Sequence, residues 1–250
     1  MGILYGLIAS LSKFEARPGL SESKHMSFLK VRHRADTLIE AGVDEAGRGC
    51  LWGPLYAAAV IWPPEEEWLD EHRDIAPQIK DSKKLSAKKR EKVAQAIRDL
   101  AMDTGIGIVT PEEIDSYGMS HANKLAFQRS LEALLIPPDR ILLDGILSLD
   151  TQVLTKQNIV EQHTIVDGDA LYLSIAAASI LAKEARDAYV KTCVDQEPTL
   201  ETNYSIGSSK GYGTEKHRKG ILAHGKHSHH RNLFLRKLLG NTSDCLITDT

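Results

Sequence analysis

From residue 38 onward the chain alternates short apolar blocks with stretches in which apolar residues return every three or four positions. The blocks 38–44 and 55–62 predict two strands, and the second stops at Pro63-Pro64. Val93, Ala96, Ile97 and Leu100 lie at helical spacing behind Ser86, which predicts a capped helix reaching about residue 102. A short strand over 106–110 leads into Pro111-Glu112-Glu113, where a proline suits a first helical turn. A further helix covers 120–135 and ends before Pro137-Pro138. Strands follow over 140–144 and 158–166, then a long apolar helix over 170–190 and a shorter one over 214–224. Strands come first and then alternate with helices. That order predicts an α/β chain with a mixed central sheet flanked by helices and a C-terminal helical segment.

Residues 1–36 show no clear period and read as an extension, within which Met26 is an alternative start. One catalytic domain over 37–236 and a tail over 237–250 complete the expected organisation. A length of 250 residues, 42% hydrophobic and 26% charged, fits one ordinary globular domain. No apolar run approaches the roughly 20 residues of a membrane span. The apolar stretch 3–11 lacks the basic start and cleavage pattern of a secretory signal. Cys50, Cys193 and Cys245 make no disulfide framework, so a reducing cytoplasm is expected. A net charge of −3 argues against a protein held on nucleic acid by bulk charge alone. It leaves room for an enzyme with basic groups along one groove and acidic groups holding metal.

The informative feature is the position of the acidic residues. Asp44 and Glu45 close one apolar strand, and Asp144 closes Ile141-Leu142-Leu143. Asp169 lies immediately before the helix that carries Ala176-Ala177-Ala178. A carboxylate beside a core segment costs free energy unless something pairs with it. Several converging at strand ends make a hard oxygen cage suited to Mg²⁺ or Mn²⁺. Adjacent strand residues point to opposite faces, so one metal shared by Asp44 and Glu45 requires a bend at Glu45. The alternative for Asp144 and Asp169, taken singly, is a turn residue and a helix cap.

Four other motifs accompany the acids. Gly47-Arg48-Gly49 can present backbone N–H groups and a guanidinium to a phosphate, although such a tripeptide alone is more often an ordinary turn. Asp81-Ser82-Lys83-Lys84-Leu85 is either a solvated loop ahead of a basic solvent face over 84–90 or a segment whose Lys83 meets a nucleic-acid backbone. Tyr212, between Gly211 and Gly213, is suited to stack on a sugar or base and to sense a 2′-hydroxyl; the alternative is a tyrosine covering a helix start. His224, His227, His229 and His230 lack the framing of a zinc site and are expected to form a mobile basic surface near the active site.

With these motifs assembled, the sequence closely resembles ribonuclease HII, the type 2 ribonuclease H family, from about Leu38 to Phe234. The resemblance rests on Gly42-Val43-Asp44-Glu45-Ala46-Gly47-Arg48-Gly49, Asp81-Ser82-Lys83-Lys84-Leu85, Leu143-Asp144-Gly145 and Gly168-Asp169. It continues through Ser174-Ile175-Ala176-Ala177-Ala178-Ser179-Ile180-Leu181-Ala182-Lys183, Arg186-Asp187 and Lys210-Gly211-Tyr212, in the family's order. It implies a ribonuclease H-like fold and a Mg²⁺- or Mn²⁺-dependent site. Asp44, Glu45, Asp144 and Asp169 match the family's catalytic, metal-holding carboxylates. Gly47, Arg48 and Gly49 match its substrate grip, Tyr212 the residue at the RNA-to-DNA junction, and Lys83 a nucleic-acid contact. The implied substrates are RNA–DNA hybrids and duplex DNA containing ribonucleotides, cut by a monomer away from membranes. Cys50 stands where proline is commoner, Leu233 stands where the family often has serine, and the 144–169 segment is somewhat long. The type 3 enzymes carry a larger N-terminal domain than residues 1–36 would supply, which favours type 2.

Two other classes compete. An integrase-like strand-transfer nuclease would share the carboxylates but gain nothing from Tyr212 between glycines. A catalytically silent hybrid-binding protein has no need of all four acids.

Overall fold

The computed structural model describes residues 29–80, 82 and 85–240. Along the chain lie β1 (Glu40–Ala46), β2 (Leu55–Ile61), α1 (Asp70–Ile75), α2 (Ala87–Leu100), β3 (Asp103–Val109), α3 (Pro111–Tyr117), α4 (Met119–Glu132) and β4 (Arg140–Asp144). There follow α5 (Thr151–Lys156), β5 (Glu161–Ile165), α6 (Leu173–Gln196), α7 (Thr199–Tyr204), α8 (Ile206–Ser209), α9 (Glu215–His224) and α10 (Asn232–Leu239). The strands form one sheet in the order β3-β2-β1-β4-β5. β1 pairs antiparallel with β2, and β2 with β3, whereas β4 runs parallel to both β1 and β5. The mixed sheet expected from the element order is present.

Helices cover both faces, and the period of two along each strand decides which residues meet which helix. Ala46 of β1 with Ala58 and Val60 of β2 packs toward α6 and α2, where Ala176, Ala177, Ile180 and Leu181 meet Val93 and Ile97. Ala41 and Val43 of β1 with Ala57, Ala59 and Ile61 of β2 pack toward α3 and α4 through Ile114, Ala126 and Phe127. The first half of α6 is buried nearly all round, from Leu173 to Ala182, because it lies between the sheet and α2. Its run of alanines permits that close approach. Gly42 shows how close it is, for a Cβ there would collide with the backbone of Ser174 and Ile175.

Helix ends follow the local chemistry. The Ser86 side chain accepts from the Lys89 N–H at the start of α2, and Thr110 with Glu113 forms a capping box around Pro111. The basic solvent face over 84–90, one of the two readings left open for this segment, fails at Arg90. Its guanidinium is buried against α6, donating to Glu184 at 2.5 Å and Asp187 at 3.0 Å. The short helices α1, α5, α7 and α8 were not expected from the sequence. Residues 29–36, placed by the sequence in an extension, dock on the sheet domain. Lys30 exchanges backbone hydrogen bonds with Leu171 and Leu173, both 2.9 Å, and Asp36 pairs with Arg140. The chain's C-terminal helices close around Trp52, Val190, Leu200, Tyr204, Ile221 and Leu235. Among the described residues no helix is long and apolar enough to cross a membrane.

Candidate active site

The carboxylates gather where β1 and β4 end. Val43 is in register with Leu143, so the next residues, Asp44 and Asp144, occupy neighbouring strand ends. The bend expected at Glu45 is absent. β1 stays paired with β2 through Ala46, with Glu45 opposite Ala57. Asp44 and Glu45 therefore project to opposite faces, as a regular strand requires. Asp44 is buried on the α6 side, where Ser179 donates to it. Glu45 lies on the α4 side and accepts from Asn123 Nδ2 at 3.4 Å. Asp144 Oδ1 accepts the Gly168 N–H at 2.7 Å, which brings the turn Gly168–Ala170, and with it Asp169, to the end of β4 just before α6.

Crowding of these acids is visible in their electrostatics. Burial, then the charges of Glu45 and Asp144, pushes the Asp44 carboxyl well above the usual aspartate range. Burial raises Glu45 as well, against the opposing effects of Asn123 and Arg48. A divalent cation would relieve this cost, and an all-oxygen donor set suits Mg²⁺ or Mn²⁺. In their chemistry the residues suit such an ion. Among the described residues, however, no three acidic, histidine or cysteine side chains stand close enough together to enclose one.

The glycine-arginine-glycine turn follows directly. Gly47 adopts φ +91°, a left-handed value that favours glycine, and a Cβ there would also strike Arg186. Arg48 is exposed and 3.8 Å from Glu45, while the space above Gly49 is open. Two buried guanidinium groups hold this turn from below. Arg231 donates to the carbonyls of Gly53 and Gly47, both at 2.7 Å, and of Arg48 at 3.2 Å. Arg186 donates to the carbonyls of Pro54 at 3.2 Å, Trp52 at 3.0 Å and Lys210 at 2.8 Å. Burial pulls Arg231 down to about 10. It remains charged at neutral pH with backbone carbonyls as its acceptors. Replacing Arg231 by Lys keeps the charge but not the fork, so at least one charged hydrogen bond is lost, about 1.5–3 kcal/mol. Cleavage by Arg231→Lys is expected to fall about tenfold or more in kcat/KM; parental activity would show that the fork is dispensable.

Tyr212 stands beside the same turn. Cys50 and Tyr212 form an antiparallel bridge, and Leu51 donates its N–H to the Gly211 carbonyl at 2.9 Å. The Cys50 thiol touches both the Lys210 carbonyl, at 3.6 Å, and the Tyr212 hydroxyl. Burial raises the Cys50 thiol, which makes it a packing group and not a nucleophile. Tyr212 is 42% exposed, open enough to meet a ligand, with the Arg186 guanidinium 6.0 Å from its ring centroid. Lys83 lies outside the described residues, as do Asp81 and Lys84.

The histidines behave differently from the mobile basic surface expected. His230 is buried, and His227 and His229 are hydrogen-bonded to Trp52 and Tyr189. Sequence reading also missed Arg186, Arg231 and Asn123 as individual contributors. Their acceptors are distant backbone carbonyls or a carboxylate on another element, and no local pattern announces them.

A family model described as Ribonuclease HII matches residues 41–238 of the chain. The chain is 43% identical over 200 residues to the ribonuclease HII of Synechococcus sp. (strain CC9902), covering 80% of this chain and 94% of that one. Among solved structures it is similar to ribonuclease H2 from Pyrococcus horikoshii OT3, with a TM-score of 0.60, 29% identity, and 80% and 96% of the two chains covered. It is also similar to the ribonuclease HII of a PCNA complex from Archaeoglobus fulgidus, with a TM-score of 0.63, 26% identity, and 82% and 99% covered.

Proposed function

Because the chain belongs to the ribonuclease HII family, a family of metal-dependent endoribonucleases, we propose that it cuts the RNA strand of RNA–DNA hybrids and also incises 5′ of single ribonucleotides embedded in duplex DNA. The observation that carries this reading is the adjacency of these elements. Asp44 and Asp144 at neighbouring strand ends lie just ahead of Gly47-Arg48-Gly49, which is bridged through Cys50 to Tyr212.

Asp44, Glu45, Asp144 and Asp169 would hold Mg²⁺ or Mn²⁺. Two bound ions would activate the attacking water and stabilise the leaving oxygen. Arg48 and the open backbone at Gly49 would grip the scissile phosphate and meet the charge that develops on it. Tyr212 would pack against the sugar at the RNA-to-DNA junction and read its 2′-hydroxyl. Lys83 would touch the nucleic-acid backbone. Because the 2′-hydroxyl is read and not used as the nucleophile, the products would be a 3′-hydroxyl and a 5′-phosphate. This activity suits a monomer of the cytoplasm, with 37–236 as its catalytic domain between an extension and a tail, working in ribonucleotide excision during DNA replication and repair.

The test is a DNA duplex with one ribonucleotide, incubated with Mg²⁺ or Mn²⁺ and again with chelator. A metal-dependent nick on the 5′ side is expected. A 2′,3′-cyclic phosphate among the products would sink the mechanism, and equal cutting of all-DNA duplex would favour a strand-transfer nuclease. Tyr212→Ala removes a stacking contact of about 1–3 kcal/mol. It is therefore expected to lower kcat/KM on this duplex roughly tenfold or more, with a smaller effect on a long hybrid.

A further inference from the structure

Behind Tyr212 lies a chain of histidines whose proton positions are dictated by their partners. His217 Nδ1 is 2.9 Å from the carbonyl oxygen of Tyr212, which can only accept, so Nδ1 carries the proton. His230 Nδ1 accepts the His227 N–H at 2.7 Å, so in the neutral ring its proton sits on Nε2. The two Nε2 atoms face each other at 2.9 Å, and this assignment makes His230 the donor and His217 the acceptor. The next ring obeys the same logic. His227 Nδ1 accepts from Trp52 Nε1 and from the His229 N–H, both at 3.1 Å, leaving Nε2 to donate to Glu197 at 3.3 Å. Every partner agrees with one tautomer at each ring.

His217 and His230 are 0% and 2% exposed, so neither can reach a substrate. Burial lowers the basicity of both, His230 to about 3, and both are neutral at neutral pH. A protonated His230 would set two N–H groups against each other at its Nδ1. The helix that carries His217 is held at its start by Thr214, whose hydroxyl accepts the His217 N–H. The Tyr212 N–H is spent on the Ser209 carbonyl at 3.1 Å. The Tyr212 carbonyl also accepts the Thr214 N–H at 2.8 Å, so His217 is its second donor, a side chain reaching it from within the core.

We propose that His217 is a positioning residue for Tyr212, with His230 holding it in the required tautomer, so that recognition of the ribonucleotide junction depends on a buried side-chain donor to the Tyr212 carbonyl. This rests on the junction role given to Tyr212 above. Tilting one peptide beside a recognition ring displaces that ring, and misplacements of about 1 Å cost roughly a hundredfold in enzymes.

Two substitutions of similar size and polarity separate this from an ordinary core histidine. In His217→Asn the side-chain amide falls near the Nδ1 position and can still donate to the Tyr212 carbonyl, while the link to His230 is lost. In His217→Gln the amide falls near Nε2, which keeps the His230 link and loses the Tyr212 one. Each variant and Tyr212→Ala would be assayed on the single-ribonucleotide duplex and on a uniform RNA–DNA hybrid. His217→Gln is expected to lose roughly tenfold to a hundredfold in kcat/KM on the first substrate and to stay within about threefold of the parent on the second. His217→Asn is expected to stay within about threefold on both. Equal behaviour of Asn and Gln, or an equal loss on both substrates, would overturn the proposal. If Tyr212→Ala leaves the single-ribonucleotide duplex unaffected, the junction reading fails first and takes the proposal with it. Nitrogen NMR of the unmodified protein gives a second test that needs no variant to fold. A proton on His217 Nδ1 and on His230 Nε2 is expected, and the opposite tautomer at His217 would overturn the proposal.

Discussion

Asp44→Asn is expected to abolish cleavage and, in chelator, to raise the melting temperature. In the metal-holding role proposed for Asp44, loss of the carboxylate removes several kcal/mol of transition-state stabilisation. At about 1.4 kcal/mol per tenfold, that is roughly a thousandfold or more in kcat. The gain in stability comes from the same residue. Buried Asp44 is pressed by Glu45 and Asp144, and its carboxyl titrates well above the usual aspartate value. A folded-state pKa above the unfolded one makes the folded protein bind the proton more tightly. Asp44 therefore favours folding below about pH 3.9, and that contribution is lost as pH rises through the folded value. Asparagine removes the charge, so the variant's advantage should be full only above the folded value of Asp44 and should fade toward pH 4. Added Mg²⁺ or Mn²⁺ should reverse the order. An ion binding only the folded parent stabilises it by mass action, about 2.7 kcal/mol at a hundred times Kd, and should do little for the variant. Melting curves with and without metal, run beside the single-ribonucleotide assay, test all three. Cleavage by Asp44→Asn within about tenfold of the parent would remove Asp44 from the metal site.

Arg140→Met is expected to cost about 3–5 kcal/mol of stability, which at roughly 2–4 °C per kcal/mol is about 6–20 °C. The Arg140 side chain is 0% exposed at the start of β4, the end of that strand away from Asp144. It donates to Asp36 at 2.6 Å, Glu40 at 2.7 Å and Glu161 at 2.8 Å, tying residues ahead of β1, β1 itself and β5 to one group. Methionine fills much of the volume but leaves Asp36 and Glu40 with only the more distant Arg32, at 3.6 and 3.7 Å, and Glu161 with the exposed Arg34, at 3.3 Å. The bonds from Arg140 and then His163 hold Glu161 down at about 2, and the bond from Arg140 lowers Asp36 too. Folded values below the unfolded ones mean the opposite dependence from Asp44. The stabilisation is complete above about pH 4.5 and is lost as pH falls toward 2. The melting gap between parent and Arg140→Met should accordingly narrow in acid. A gap that is independent of pH would mean that the carboxylates do not depend on Arg140. The variant's residual folded fraction should still cleave, since Arg140 and Asp144 close opposite ends of β4.

Much of this architecture was legible in the chain. β4 has the predicted bounds, 140–144, because three apolar residues between a polar start and a carboxylate have no helical alternative at that length. Ser86 and Thr214 mark the starts of α2 and α9, where each side chain accepts a first-turn N–H. The unpredicted helices are short ones. α5 has no fully buried side chain, only Val153 and Leu154 half-buried against the core, and that is too short an apolar stripe to announce it. α6 extends past the expected limit to Gln196, because beyond Ala182 its buried positions thin to Arg186 and Val190. An arginine in that place reads as solvent-facing until its carbonyl acceptors are seen.

The amino-acid sequence by itself determined which chemistry this protein carries: the carboxylates, the glycine-flanked arginine and the glycine-flanked tyrosine are local patterns, complete within a few residues. Tertiary structure decided how those patterns face one another. Asp44 and Glu45 lie on opposite sides of an unbroken strand, and Asp144 reaches Asp44 only because β4 pairs with β1 in one register. Arg231 meets Gly47 and Arg186 meets Lys210 from other elements, and His217 closes on His230. The physical reason is the range of the interactions. Strand alternation and helix caps are set between near neighbours, whereas a buried guanidinium or imidazole is stable only once remote segments supply its acceptors. Those acceptors are mostly backbone carbonyls, which every residue possesses and no sequence pattern distinguishes.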